Sequence, residues 1–204
     1  MYRNGIKRIL AIVLSLAGIV CLGWLMLVLS IAIKLDSPGS ILFRQKRVGR
    51  GKHHFYILKF RTMRSDTPKD TPTHLLANPQ QYITRVGRFL RKTSLDELPQ
   101  LFNILAGHMA VVGPRPALWN QFDLIAERDK YGANSVRPGL TGWAQINGRD
   151  ELSIEEKARF DGEYVRHLSF SFDLKCCLAT VRVVLGRYGI VEGGTGAMKV
   201  NNSK

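Results

Sequence analysis

Residues Ile9–Ile33 read ILAIVLSLAGIVCLGWLMLVLSIAI, 25 positions without one Asp, Glu, Lys, Arg or His, set between Arg8 and Lys34. As an α-helix rising about 1.5 Å per residue, this run reaches roughly 38 Å, beyond the ~30 Å hydrocarbon core of a bilayer. A secretory leader fits poorly, because its apolar stretch would be shorter and no small-x-small cleavage site precedes Lys34. The run is expected to be a retained membrane anchor. Arg3, Lys7 and Arg8 lie before it, and Lys34, Arg44, Lys46, Arg47, Arg50 and Lys52 follow. Cytosolic flanks carry the Lys and Arg excess, and here both flanks are basic. A spanning helix and a re-entrant one that leaves by its own face of entry both stay open. A hairpin needs a break near the middle, and the breaker offered there, Gly23, costs a helix only about 1 kcal/mol relative to Ala.

Outward from the anchor, the 204 residues leave room for one domain of about 150 residues with a core of its own. The expected division is an anchor over 1–35, a head over 36–191 and a flexible tail over 192–204. Thirty Lys and Arg against 16 Asp and Glu give a formal charge of +14. That excess calls for an anionic partner: nucleic acid, phospholipid head groups or a phosphorylated substrate. Cys21, Cys176 and Cys177 form no CxxC or zinc spacing, which suits a reducing, cytosol-facing head.

Asp36-Ser37-Pro38-Gly39-Ser40 is a turn cluster. Beyond it, alternating apolar and basic residues predict a hairpin of Ile41–Arg47 and Phe55–Arg61 around Gly49 and Gly51. Met63–Gln81 is polar and reads as a mobile loop. Helical spacing is predicted over Ile83–Leu90, Leu95–Leu105, Leu118–Lys130, Ile154–His167 and Asp173–Leu185. The last is apolar enough to lie in the core or in the membrane interface. Val136–Arg149 carries Pro138, Gly139, Gly142 and Gly148 and is expected to have little regular structure. The fold class is α+β, mainly helical, with a small β-hairpin.

Four stretches could carry chemistry. In Ser94-Leu95-Asp96-Glu97-Leu98-Pro99-Gln100, Ser94 and Glu97 fit a capping box with Asp96 in the first turn. Two acids that merely neutralise a helix N-terminus explain this pattern. So does a carboxylate kept ionised there, a nucleophile toward phosphorus that a Mg²⁺ ion can share. In Lys59-Phe60-Arg61, a strand would turn both cations to one face, as a solvated surface or as a phosphate site. Gly113-Pro114-Arg115-Pro116 fixes the backbone around one guanidinium, either as a tight turn or to present it to a phosphate. The Gly-rich stretch 137–149 suits a nucleotide or sugar pocket as well as a structural loop. His53-His54 reads as a polar turn, and Walker A, HExxH, GxSxG and GxGxxG patterns are absent from the sequence.

In order, the chain carries Asp36-Ser37-Pro38-Gly39, Phe43-x-Gln45-x-Arg47-x-Gly49, Lys59-Phe60-Arg61-Thr62-Met63, Ser94–Gln100, Val112-Gly113-Pro114-Arg115-Pro116 and Arg137-Pro138-Gly139-Leu140-Thr141-Gly142-Trp143. Together they resemble the small monotopic phosphoglycosyl transferases of the bacterial sugar transferase family, over nearly the whole chain. The resemblance implies transfer of a phosphosugar from a UDP-sugar to polyprenyl (undecaprenyl) phosphate with release of UMP, the first membrane step of a bacterial glycan or polysaccharide. It implies a covalent intermediate on Asp96, with Glu97 as its dyad partner and Mg²⁺ held in part by Asp96. It also implies that Lys59, Arg91, Arg115 and Arg149 hold phosphates. Asp161 and Asp173 fall where relatives often carry acids. The implied setting is the inner membrane, with the head on the cytosolic side against anionic phospholipids. Relatives commonly break the membrane helix with a Ser-Pro pair; here Gly23-Trp24 stands there, and Ala11 replaces an early Asp. Re-entrance remains the expectation, because both flanks are basic and the lipid phosphate must reach a cytosol-facing site.

Two rivals compete with this reading. A membrane-tethered nucleic-acid-binding protein would account for the charge, but the cations cluster in Pro/Gly-rich motifs and not along one helix face, so no nucleic-acid partner is expected. A catalytically dead scaffold would have no need of an intact Asp96-Glu97 pair.

Overall fold

A computed structural model describes residues 2–67, 79–148 and 151–186. After a π-helical turn over Tyr2–Ile6, helix α1 runs unbroken through Lys7–Asp36. Its apolar run contains no proline, and Pro38, two residues past its end, cannot continue it. The Ser37 N–H returns to the Ile33 carbonyl at 3.3 Å, and the Arg61 guanidinium donates to the oxygens of Ile33, Ser37 and Pro38. One buried arginine thus satisfies carbonyls that a helix C-terminus would leave orphaned.

No break occurs at Gly23-Trp24, so the expected re-entrant bend is not present in this helix. One face of α1 lies lengthwise on the head instead. Ala11 joins a core cluster with Phe55, Ile57, Ile104 and Met109, while Leu29 and Ile33 pack with Phe60 and Leu90. Between them Ser15 is buried, and a Cβ on Gly18 would stand 3.1 Å from Leu101. The spacing of 11, 15, 18, 29 and 33 is one stripe of an α-helix. The opposite face exposes Ile9, Val13, Leu16, Val20, Trp24, Leu27, Ile31 and Leu35. Each is worth about 1.5–3 kcal/mol when taken out of water, so this face suits hydrocarbon. The helix is long and apolar enough to enter a membrane. Both basic flanks end on one head because the helix is laid along that head, with no need for a hairpin.

Strands β1 (Leu42–Val48) and β2 (His54–Phe60) pair antiparallel, from Leu42 opposite Phe60 to Val48 opposite His54. The hairpin is the predicted one, shifted by a residue. Phe55, Ile57 and Lys59 share one face of β2, and Phe60 points to the other, toward α1. Helices α2 (Arg85–Thr93) and α3 (Gln100–Leu105) follow. Asn103 of α3 reaches the free edge of β2, where it accepts from the Leu58 N–H and donates to the Tyr56 carbonyl, both at 2.8 Å. A buried amide thereby locks strand to helix.

The predicted helix over Leu95–Leu105 is divided. Leu95–Glu97 is a single 3-10 turn, and α3 begins only after Pro99. Ser94 makes no capping bond to this turn, so the expected Ser94–Glu97 capping box does not form. The capping box of the described chain is at Ser153 and Glu156, ahead of α6 (Ile154–Arg166). Nor is 136–148 structureless. Strand β3 (Ala110–Val112) pairs parallel with β4 (Gly139–Thr141), connected through α4 (Phe122–Asp129), and α5 (Trp143–Ile146) follows β4. The segments lie so close that a Cβ on Gly139 would come within 2.1 Å of the Gly113 nitrogen, and one on Gly142 within 2.1 Å of the Gly113 oxygen. Glycine is required there by backbone contact. Helix α7 (Phe170–Gly186) closes the head through Cys176, which packs with Tyr164 and Val112. Most of the proposed loop 63–81, and the tail over 192–204, lie outside the described residues.

Candidate active site

The centre of the site is the 3-10 turn that carries Asp96 and Glu97. Ser94 places it. With φ 57° and ψ 15° this residue is left-handed, a conformation that costs a non-glycine roughly 1–2 kcal/mol. Its N–H closes α2 on the carbonyls of Leu90 and Arg91, and the chain then reverses. Asp96 and Glu97 are brought back against the end of β2.

Lys59 meets them there. Its Nζ stands 2.7 Å from Glu97 Oε1 and 3.6 Å from Asp96 Oδ2. Arg115, from the Gly113–Pro116 loop, donates from Nη2 to the same Glu97 oxygen at 3.1 Å. Side-chain exposures of 13% for both acids and 17% for Lys59 place the cluster in a recess and not on an open face. Arg91 approaches from α2, with its Nε on Thr62 Oγ1 at 3.0 Å, and its charge acts on Asp96. Burial raises the Asp96 pKa above the ordinary aspartate value; Lys59, Arg91 and Arg115 oppose that rise, and Glu97 adds to it.

The two acids are thus unequal. Glu97 occupies the near cations, and Asp96 meets Lys59 at the longer distance. The cations also outnumber the acids. Arg47 of β1 stands behind Arg115, where its Nη1 donates to the Pro116 carbonyl at 2.9 Å and its Nη2 to Gln45 Oε1 at 2.6 Å. Burial, then the neighbouring Arg115, push the Arg47 pKa down to about 9, with Glu97 opposing. Such a surplus of positive charge around two adjacent carboxylates is suited to a phosphate ester.

Of the residues singled out in the sequence, Lys59, Arg91, Asp96, Glu97 and Arg115 converge here. Arg149 lies outside the described residues. Arg61 does not share a face with Lys59 at the site; it lies beyond the end of β2 and is spent on α1. Asp161 is buried in a pair with Arg128, at 2.6 Å to Nη2 and 2.8 Å to Nε. Asp173 receives Tyr2, Lys7 and Tyr164 and ties the N-terminal segment to α7. Neither acid belongs to the Asp96 cluster. Asn103 is the supporting residue that motif reading passed over; Arg47 lay in a quoted motif without a task of its own, and Ser94 was read as a helix cap. A polar residue inside Leu101-Phe102-Asn103-Ile104-Leu105 was the available signal for Asn103, since a buried amide must find partners.

Among the described residues no cluster of three or more His, Cys, Asp or Glu could hold a metal. Two adjacent carboxylates do match Mg²⁺, which binds through one or two carboxylates plus substrate phosphates and waters.

The sequence model described as bacterial sugar transferase matches residues 2–187. A UDP-glucose:undecaprenyl-phosphate glucose-1-phosphate transferase of Xanthomonas campestris pv. campestris is 38% identical over 182 residues, 86% of this chain and 38% of that protein. An enzyme of the same description from Caulobacter vibrioides is 41% identical over 189 residues, 88% of this chain and 69% of that protein. An uncharacterized sugar transferase, EpsL, of Bacillus subtilis (strain 168) is 38% identical over 187 residues, 92% of this chain and 91% of that protein. The chain therefore spans less than half the length of the Xanthomonas relative and nearly all of the Bacillus one.

Proposed function

The chain belongs to the bacterial sugar transferase family, and on that premise we propose that it moves a phosphosugar from a UDP-sugar to a membrane polyprenyl phosphate and releases UMP. Asp96 is the nucleophile. Its carboxylate oxygen bonds to the β-phosphorus of the donor, the bond from that phosphorus to the bridging oxygen breaks, and UMP leaves with the electron pair. An oxygen of the polyprenyl phosphate then attacks the same phosphorus. The aspartyl–phosphorus bond breaks, a polyprenyl diphosphosugar departs, and the carboxylate is regenerated. Both steps use one site, and catalysis rests mainly on positioning and charge neutralisation.

The observation that carries this reading is the division of labour between neighbouring acids. Glu97 is engaged by Lys59 and Arg115 at 2.7 and 3.1 Å, which fixes those cations beside Asp96. In this reading Lys59, Arg91 and Arg115 neutralise the donor phosphates, and Arg47 holds the Arg115 loop through Pro116. Asp96 and Glu97 are the residues that would hold Mg²⁺, an ion that supplies charge neutralisation at the diphosphate when bound. The apolar outer face of α1 lies in the inner membrane, with the head on its cytosolic side, where a soluble nucleotide sugar and a lipid phosphate can both arrive.

In the test, nanodisc-held protein receives a UDP-sugar panel, polyprenyl phosphate and Mg²⁺, and UMP is measured. Release is expected with at least one donor, and Asp96→Asn lowers it by at least about a thousandfold, as loss of a covalent nucleophile does. Equal release from the variant would remove Asp96 from the nucleophile's role.

A further inference from the structure

A cavity of about 40 Å³ opens where the N-terminal segment, the β1–β2 turn and the loop before β4 meet. A single water needs roughly 10–15 Å³ in this measure, so there is space for a small oxyanion. Arg3, Lys7, Arg8, Arg50 and Arg137 line it, with Ser135 between them. None of the Asp96 cluster borders it.

Its arginines are held in place by neutral oxygens. Arg8 donates to the carbonyls of Ile104 and Leu105. Arg3 reaches Ser135 Oγ at 3.2 Å, Arg50 Nε reaches the Ser135 carbonyl at 3.1 Å, and Arg137 Nε reaches the Gly107 carbonyl at 2.9 Å. Lys7 is paired with Asp173. Among the described residues, none of the four arginines has a carboxylate oxygen within 4.0 Å. Four guanidiniums from three stretches of chain are thus gathered with no counter-ion among the described residues. The crowding is felt: burial, then Arg50 and Arg8, lower the Arg137 pKa from its ordinary value. Guanidiniums matched to one small cavity suit the paired oxygens of a phosphate.

The cavity's position narrows its source. It abuts the start of α1, whose outer face exposes Ile9 and Val13. Tyr2 in the same segment packs edge-on against Phe170, which begins a second exposed apolar row of Leu174, Leu178 and Val181 on α7. Where two apolar faces adjoin a basic pocket, lipid phosphates are close at hand.

We propose that Arg3, Arg8, Arg50 and Arg137 form a binding site for a phosphate group, separate from the Asp96 site. It is supplied by an anionic lipid head group or by a free phosphate, and it clamps the N-terminal segment to the head. The inference stands whether or not Asp96 is a nucleophile.

The test uses the full chain in neutral detergent with added inorganic phosphate, and in phosphatidylcholine nanodiscs with and without phosphatidylglycerol, followed by thermal midpoint. Arg3→Ala/Arg50→Ala is compared with Arg115→Ala, which alters only the active site, and with Lys130→Ala/Arg166→Ala, which removes two exposed charges elsewhere. Stabilisation of the wild type is expected in at least one arm. Its apparent affinity falls at least tenfold in Arg3→Ala/Arg50→Ala and is retained in the other two variants. An effect of inorganic phosphate identifies a soluble anion, and an effect of phosphatidylglycerol alone identifies a lipid head group. Absence of stabilisation in both arms overturns the proposal, as does an equal loss in the Lys130→Ala/Arg166→Ala control.

Discussion

Asp96 is surrounded by opposing influences, and their balance has a measurable consequence. Burial raises its pKa while Lys59, Arg91 and Arg115 pull the other way, and the net direction is upward. A carboxylate attacks phosphorus only when ionised, and a raised pKa means that ionised form is lost at a higher pH on acidification. The acid limb of kcat/KM for donor-dependent UMP release should therefore lie above the ~3.9 of a free aspartate. A limb at or below that value would mean that the cations, not burial, dominate. Of this cluster, Asp96, Glu97, Lys59 and Arg115 were legible in the sequence because each sits inside a short motif with its own chemistry. The tasks of Arg47, quoted within the Phe43–Gly49 motif, and of Asn103 were not, because their partners, Pro116 and the Tyr56–Leu58 edge, lie about 45 to 70 residues away along the chain. Residue-level foresight fails where a side chain's purpose depends on a distant backbone group.

At the level of elements, a buried ion pair bridges two helices of the head beside its apolar clusters. Asp161 on α6 and Arg128 on α4 are almost wholly excluded from solvent. Removing one partner leaves a buried charge uncompensated, at a cost of about 3–5 kcal/mol. Asp161→Ala is thus expected to lower the thermal midpoint by roughly 10 °C, while the double change Arg128→Met with Asp161→Leu restores most of it. A drop in Asp161→Ala that the apolar pair does not repair would point to a role beyond this bridge. The hairpin and most longer helices followed from periodicity. The β3–β4 pair did not, because three-residue strands carry no alternation and Gly139 reads as a loop until its approach to Gly113 is seen. The acids of Ser94–Gln100 were placed on a helix cap because Ser94 and Glu97 have the right spacing. Pro99 and the left-handed Ser94 convert that pattern into a separate turn.

Across the whole molecule, α1 is both a wall of the core and the apolar outer surface. Ala11, Leu29 and Ile33 face the head, while Val20, Trp24 and Leu27 face outward. Composition could not separate the two faces, since both are apolar, and so it could not tell a helix laid along the head from one that spans or turns back. The docked arrangement requires both ends on one side of the membrane. In a Cys21→Ser background, cysteines placed at Arg3 and at Ser40 should react with an impermeant maleimide from the same side, above the labelling of that background. Reaction from opposite sides would show that the helix leaves the head and crosses.

The proposed function turns on one chemical event, a phosphosugar held on Asp96. Full-length protein mixed with its UDP-sugar donor and no lipid acceptor, then quenched and analysed by peptide mass spectrometry, tests it directly. The account predicts a sugar-phosphate mass on the peptide containing Asp96, absent from Asp96→Asn. Release of UMP with that peptide unmodified would contradict it.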